Sequence, residues 1–245
     1  MEVIHMYTKA KIDVNKVLDN LKPHLNKLPK KIGLATTIQF IDYLDQVKQF
    51  LIDNEKEVFI GNSNINKGQL LGCNTNTISD IYSKVDGLLY FGDGIFHPKG
   101  LTVHMRKPLF CFDPFSYEFK LFENEDFDKI IGRIKGAALK FFDSKNVGIL
   151  VSTKSGQSHL ARAEKFAKYC ESQGKKAFIL LNETLDFNSL QDFNFIEVFV
   201  NTMCARIGYD DTVKIFAPTI NFDDLLNFLD DYEDKNAYNL MQIKM

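Results

Sequence analysis

Two cysteines, Cys73 and Cys204, have the residue type and the local setting that metal chemistry needs. Cys73 lies in the turn GQLLGCN, where a thiol is accessible and backbone amides can stabilise a thiolate. Cys204 follows the apolar run FIEVFVN and precedes Arg206, whose charge favours a thiolate. Thiolates are preferred ligands of zinc and iron–sulfur centres, so the pair suggests a metal or cluster site. A small turn residue and a buried strand-end residue are the ordinary alternatives.

Other reactive residue types have simpler interpretations. Cys111 lies within the predicted strand KPLFCF and Cys170 on a predicted helix, so both are expected to be packing residues. His97 precedes a proline in a turn, where a structural histidine is commoner than an acid or base. Asp210 and Asp211 could hold a substrate amine, but a solvated or helix-capping role is the more ordinary one.

Two glycine-containing turns could approach an anionic ligand closely. They are FGDGIFHP and STKSGQ, the second of which contains Gly156 and Gln157. The sequence contains no GxSxG, P-loop, HExxH or CxxxCxxC string, so it lacks the signatures of common hydrolases, NTPases, zincins and conventional radical enzymes.

Short apolar runs that alternate with amphipathic segments must position these residues. The run KIGLATT precedes a segment with helical spacing of apolar residues, and KEVFIG and DGLLYFGDG follow it. This pattern predicts an α/β fold with mainly parallel sheets flanked by helices. Parallel sheets bind ligands beyond the carboxyl ends of their strands, which is where the turns named above lie.

An internal repeat predicts two homologous domains. The segment from Gly148 repeats the strand, polar turn, helix and strand of the segment from Gly33. Each repeat continues into a run that ends at a proline, KPLFCFDP or VKIFAP, and each run is predicted to be a strand. The predicted domains are 30–142 and 143–245, the second with an acidic C-terminal tail; a single fused sheet is the alternative.

Residues 1–29 predict one strand, EVIHMY, and one helix capped by Asp13. This pair either docks on domain 30–142 or is the end of a sheet that the chain does not contain. We favour the second interpretation, in which 1–29 is the remainder of a missing first domain.

Composition and charge limit the classes of partner that the chain can bind. The 245 residues carry a formal net charge of −2 and no basic block, which argues against direct binding to nucleic acid. No apolar run approaches the roughly 18 residues of a membrane span. The N-terminal residues lack the pattern of a secretory signal, so a cytoplasmic location is expected, with the four cysteines reduced.

Four motifs, GQLLGCN, FGDGIFHPKGL, GILVSTKSGQ and FVNTMCARIGYDD, resemble the archaeal-type diphthamide synthase family in order and spacing. The flanking segments KIGLATTIQ and KPLFCFDPFS are similar as well. The resemblance spans residues 30–220.

This resemblance implies three homologous domains that each donate one cysteine to a [4Fe-4S] cluster. The cluster binds S-adenosylmethionine and cleaves it to an aminocarboxypropyl radical, and the group is added to a histidine of translation elongation factor 2. By motif, Cys73 and Cys204 would be cluster ligands, and Gly156 and Gln157 would border the S-adenosylmethionine site.

The sequence departs from this family in lacking most of the first domain and its cysteine. The third ligand would then come from a separate first-domain polypeptide or a full-length paralogue, in a homo- or hetero-oligomer. A non-catalytic scaffold or binding subunit derived from the same family is the alternative, and a zinc-stabilised module is a third hypothesis. The presence of both motif cysteines favours the split enzyme.

Overall fold

A computed structural model describes residues 6, 8–63, 66–71, 76–101, 106–122 and 124–231. The chain divides into two compact units, Met1–Asp128 and Lys129–Met245. The dividing point lies within a long helix, and the boundary predicted between residues 142 and 143 lies near the C-terminal end of that helix. The predicted domain bounds therefore stay a prediction. None of the helices in the described part of the chain has the length and apolar character that spanning a membrane requires.

Unit 1 is built on a five-stranded sheet with the order β2-β1-β3-β4-β5. The first four strands are parallel, and only β5 pairs antiparallel, with β4. The strands are β1 (Lys31–Thr36), β2 (Glu57–Phe59), β3 (Gly87–Phe91), β4 (Leu109–Phe112) and β5 (Phe119–Phe122). The helices of this unit are α1 (Val14–Leu21), α2 (Leu44–Asp53), α3 (Asn76–Ser79) and α4 (Phe96–Leu101).

Both faces of the unit 1 sheet are buried, because alternate residues of each strand enter two different cores. On one face Leu89, Phe91 and Phe112 pack with residues of α1 and α2. On the opposite face Leu88 and Cys111 pack with residues of α3 and α4. This alternation explains why the strands of unit 1 read as nearly continuous apolar runs.

Helix α1 begins where the sequence predicts, at a side-chain cap. The Asp13 carboxylate accepts a hydrogen bond of 3.3 Å from the Lys16 backbone N–H. Val17 and Leu21 of α1 are buried in the core of unit 1, so the helix packs on this unit. Most of the strand predicted at EVIHMY lies outside the described residues. The assignment of 1–29 to a missing domain stays a prediction.

Unit 2 has a four-stranded, fully parallel sheet with the order β7-β6-β8-β9. Its strands are β6 (Asn146–Ser152), β7 (Lys176–Asn182), β8 (Val198–Asn201) and β9 (Thr219–Asn221). Helix α5 (Asn124–Asp143) runs across the dividing point, and α6 (Leu160–Ser172), a π-helical turn (Ile207–Asp211) and α7 (Phe222–Asp231) complete the unit. The predicted acidic C-terminal tail begins with helix α7, in which Leu225 and Leu229 are buried.

The two sheets share one strand order, as the internal repeat predicts: β2-β1-β3-β4 corresponds to β7-β6-β8-β9. The α/β class with two mainly parallel sheets flanked by helices is confirmed. One strand prediction was wrong, because VKIFAP is not a strand and β9 begins at Thr219, after Pro218. A proline has no N–H to donate, so it can precede the first residue of a strand as well as follow the last.

A side chain before β8 ties this strand to the start of β6. The Glu197 carboxylate accepts hydrogen bonds from the backbone N–H groups of Lys145 (2.7 Å) and Asn146 (2.9 Å). These bonds hold the pKa of Glu197 below its usual value of 4.5. A group with a lowered pKa stabilises the folded state above its unfolded pKa, and this contribution disappears as the pH falls through the folded pKa.

We therefore expect Glu197→Gln to lower the melting temperature at neutral pH. The difference from the unmodified protein should shrink as the pH falls below 4.5, because protonation then removes the advantage of the carboxylate. Circular dichroism melts across this pH range measure the effect. Glu164→Gln, on the exposed surface of α6, is the control. An equal pH-dependent loss in the control would contradict the assignment.

Candidate functional site

The carboxyl ends of β6, β8 and β9 meet at one edge of the unit 2 sheet, because the strands are parallel. The chain leaves β8 through Thr202, which is bonded to the end of β6. The Thr202 backbone N–H and its Oγ1 hydroxyl both donate to the Leu150 carbonyl oxygen, at 2.9 and 2.8 Å. These bonds fix the point from which the chain reaches Cys204.

Cys204 lies half-buried in the short loop between β8 and the π-helical turn. Asn201, the last residue of β8, holds this loop with its side-chain amide. Its Oδ1 accepts from the Met203 backbone N–H at 3.1 Å, and its Nδ2 donates to the Cys204 carbonyl oxygen at 2.9 Å. The sequence prediction that Cys204 follows the end of an apolar strand at the sheet edge is confirmed.

A second asparagine, Asn221 at the end of β9, completes a buried polar network beside this loop. Its Oδ1 accepts from Asn201 Nδ2 at 2.8 Å, and its own Nδ2 donates to the Ala205 carbonyl oxygen at 3.0 Å. Asn221 Nδ2 also donates to Asp224 Oδ2 at 3.1 Å, and Asp224 Oδ1 accepts from the Tyr209 hydroxyl at 3.2 Å. Burial, with the nearby Asp224 carboxylate, raises the pKa of Tyr209.

Arg206 contributes a buried charge two residues after Cys204. Its side chain is only 5% exposed and forms an ion pair with the Asp210 carboxylate one turn later. The positive charge is therefore compensated within the π-helical turn. Asp211 pairs with Lys214 at 2.7 Å on the surface. The two aspartates thus form ion pairs inside the unit, a role that the sequence did not indicate.

The other described cysteines are packing residues, as predicted. Cys111 belongs to the core of unit 1 and Cys170 is fully buried on α6. Burial raises the pKa of each thiol to about 12. Neither thiol is therefore available as a thiolate ligand near neutral pH.

The corresponding edge of unit 1 positions the segment that leads to Cys73. The Thr36 backbone N–H donates to the Gly68 carbonyl oxygen at 2.9 Å, and the Leu70 N–H donates back to the Thr36 carbonyl oxygen at 2.7 Å. The buried Thr77 hydroxyl donates to the Gln69 carbonyl oxygen at 2.5 Å. Residues 66–71 therefore lie along the carboxyl end of β1. Cys73 itself lies outside the described residues, and its role stays a prediction.

Gly156 and Gln157 lie in an exposed loop between β6 and α6. Gly156 has φ +77°, a left-handed conformation that glycine adopts without strain, and the Gln157 backbone N–H donates to the Lys154 carbonyl oxygen at 3.1 Å. This turn occupies the same sheet edge as the Cys204 loop, because β6 and β8 are adjacent. A ligand that bridges the two loops is compatible with this placement, and the binding role stays a prediction.

Within the described residues, no three histidine, cysteine or acidic side chains form a group that could hold a metal ion. The Cys204 loop contains a single, half-buried cysteine, whose thiolate is a soft ligand suited to iron in a cluster. One thiol from one loop fits a cluster whose remaining ligands come from other segments better than it fits a self-contained metal site.

Sequence reasoning identified Cys204 but missed the two asparagines that hold its loop. The available signal was an asparagine as the last residue of two apolar strands, in VFVN and TIN. A polar residue at that position is common, however, and only the parallel pairing that places Asn201 opposite Asn221 shows that the two side chains meet.

Comparison with known proteins matches residues 1–239 to the family model Diphthamide_syn, described as "diphthamide synthesis protein". The 2-(3-amino-3-carboxypropyl)histidine synthase of Pyrococcus horikoshii is 34% identical over 205 residues, covering 82% of this chain and 58% of that protein. Subunit 1 of the same-named synthase in Kluyveromyces lactis is 24% identical over 217 residues, covering 86% and 50%.

A solved structure shows a similar fold. It is a crystal structure of Dph2 from Pyrococcus horikoshii with a 4Fe-4S cluster, which superimposes with a TM-score of 0.75 at 30% identity. The match covers 92% of this chain and 65% of that protein. This chain therefore spans only about half to two thirds of the length of the proteins it resembles.

Proposed function

Because the chain belongs to the diphthamide synthesis family, we propose that it is a component of a 2-(3-amino-3-carboxypropyl)histidine synthase. The proposed reaction transfers a 3-amino-3-carboxypropyl group from S-adenosylmethionine to a histidine of translation elongation factor 2. The proposed location is the cytoplasm. The chain acts together with a polypeptide that supplies the first domain.

One observation carries this proposal: the half-buried Cys204 lies at the carboxyl edge of a parallel sheet, in a loop held by buried amides. A protein of similar fold holds a 4Fe-4S cluster. We assign Cys204 as one cluster ligand and Cys73, in the segment between β2 and β3 of unit 1, as the second. The third thiolate comes from the first-domain polypeptide, in a homo- or hetero-oligomer.

In this scheme the residues of this chain bind the cluster and orient S-adenosylmethionine. Cys204 holds one iron at a fixed point of the sheet edge. Gly156 and Gln157, in the neighbouring exposed loop, border the amino-acid and nucleoside parts of S-adenosylmethionine. The cluster, when bound, supplies the electron that cleaves the sulfonium donor. The buried asparagine network keeps the loop in one conformation while these groups bind.

Anaerobic iron–sulfur reconstitution tests the proposal. The chain is reconstituted alone and with a polypeptide that consists of the first domain of the Pyrococcus horikoshii synthase. Bound iron and charge-transfer absorbance are measured in both samples. We expect the cluster to form only in the mixture. A cluster in the chain alone would contradict the requirement for a first domain.

Absence of bound iron from both samples would overturn the cluster assignment. The chain would then be a non-catalytic scaffold or binding subunit of the same family. Stoichiometric zinc without iron after anaerobic purification would instead indicate a zinc-stabilised module.

A further inference from the structure

Two consecutive carbonyl groups of the Cys204 loop each accept a side-chain amide in addition to a backbone N–H. The Cys204 carbonyl oxygen accepts from Ile207 N at 3.0 Å and from Asn201 Nδ2 at 2.9 Å. The Ala205 carbonyl oxygen accepts from Gly208 N at 3.1 Å and from Asn221 Nδ2 at 3.0 Å. The backbone on both sides of the Cys204–Ala205 peptide is therefore held from the sheet.

Both N–H groups of each asparagine amide are used in this arrangement, and each amide oxygen accepts a hydrogen bond. Rotating the Asn221 amide by half a turn would place its Nδ2 against Asn201 Nδ2 and its oxygen against the Ala205 carbonyl. The network consequently permits one orientation of both side chains, and with it one path of the loop.

The network is buried and connects four elements: β8, β9, α7 and the π-helical turn. Asn201 and Asn221 are 2% and 4% exposed and are register partners on β8 and β9. Asp224 of α7 accepts from Asn221 and from Tyr209 of the π-helical turn. The loop that carries Cys204 is thereby connected at both ends to rigid elements.

A buried polar network does not give a sheet edge more stability than apolar residues would, since an apolar pair of similar volume would stabilise it at least as well. What such a network adds is a single defined geometry. We propose that Asn201 and Asn221 are positioning residues that fix the backbone of Cys204, so that its thiol is presented in one place at the sheet edge. The iron-binding purpose of this geometry rests on the proposed function, whereas the positioning can be measured on the thiol itself.

The test measures the rate at which iodoacetamide alkylates Cys204 in the full, iron-free chain, resolved by peptide mass spectrometry. We expect Asn201→Ala and Asn221→Ala to raise this rate about fivefold or more, because the loop opens when a side-chain amide is lost. Asn182→Ala is the matched control. Asn182 ends β7 of the same sheet and donates to the Leu180 carbonyl oxygen at 3.3 Å. The rate of Cys204 alkylation in Asn182→Ala should stay within about twofold of the rate in the unmodified chain.

Two further measurements separate positioning from a loss of stability. Circular dichroism melts compare the stability of all variants. If an asparagine variant does not fold, Tyr209→Phe, which removes only the hydroxyl bonded to Asp224, replaces it in the alkylation test and is expected to raise the rate by a smaller factor. We expect the electron paramagnetic resonance spectrum of the cluster, reconstituted with the first-domain polypeptide, to change in Asn221→Ala and not in Asn182→Ala.

Cys204 alkylation rates in the asparagine variants equal to that of the control would overturn the proposal, whatever the result for iron. If Cys204→Ala binds iron like the unmodified chain, the proposed function fails, and the alkylation rates still decide whether the asparagines position the thiol.

Discussion

Cys204→Ser should remove essentially all bound iron and charge-transfer absorbance from the chain reconstituted with the first-domain polypeptide. Serine preserves the size of the side chain, but its oxygen is a poor replacement for a soft thiolate in an iron–sulfur cluster. Because each domain contributes one ligand in the proposed arrangement, the remaining thiolates cannot compensate. Cys73→Ser is expected to have the same effect. Iron content and absorbance of the anaerobic complex measure the loss.

The matched control is Cys170→Ala in the same unit. Cys170 is fully buried on α6 and its pKa is raised to about 12, so it is not expected to bind iron. The substitution should cost about 1 kcal/mol of stability through lost packing and leave the cluster intact. Retention of iron by Cys204→Ser, or an equal loss in Cys170→Ala, would refute the assignment of Cys204.

Gly208→Ala is expected to destabilise unit 2 by about 2–4 kcal/mol. A Cβ atom at this position would lie 2.2 Å from Asn221 Oδ1 and 2.6 Å from its Nδ2. The Asn221 amide would have to move, which would leave buried polar groups around the Ala205 carbonyl without their partners. Urea denaturation followed by far-UV circular dichroism measures this loss, since the chain has no tryptophan.

Substitution of a second glycine in unit 2 is expected to change the stability in the opposite direction. An added Cβ at Gly136, on an exposed position of α5, would meet nothing within 4 Å. Gly136→Ala should therefore stabilise by about 0.5–1 kcal/mol, the helix propensity difference between the two residues. If Gly208→Ala were as stable as Gly136→Ala, the close packing of the asparagine network would be disproved.

Periodicity and caps predicted the parts of the fold that depend on local sequence. The alternating apolar runs predicted the parallel strands, and Asp13 caps α1 as expected. The place of Cys111 and Cys170 in the cores also followed from their positions within apolar elements. The prediction for VKIFAP was wrong, because a proline near an apolar run marks a strand end without showing which end.

The sequence by itself determined the α/β class, the repeated succession of strand, turn and helix, and the position of Cys204 after an apolar run, because these depend on spacing along the chain. The tertiary structure alone decided what surrounds Cys204. Asn201 and Asn221 are 20 residues apart and meet at 2.8 Å only because β8 and β9 pair in parallel register. The Arg206–Asp210 ion pair has the i,i+4 spacing of a local helical contact, but only the structure shows that Arg206 is buried beside the Cys204 loop. The asparagine contact depends on strand register, which no local pattern of residues encodes.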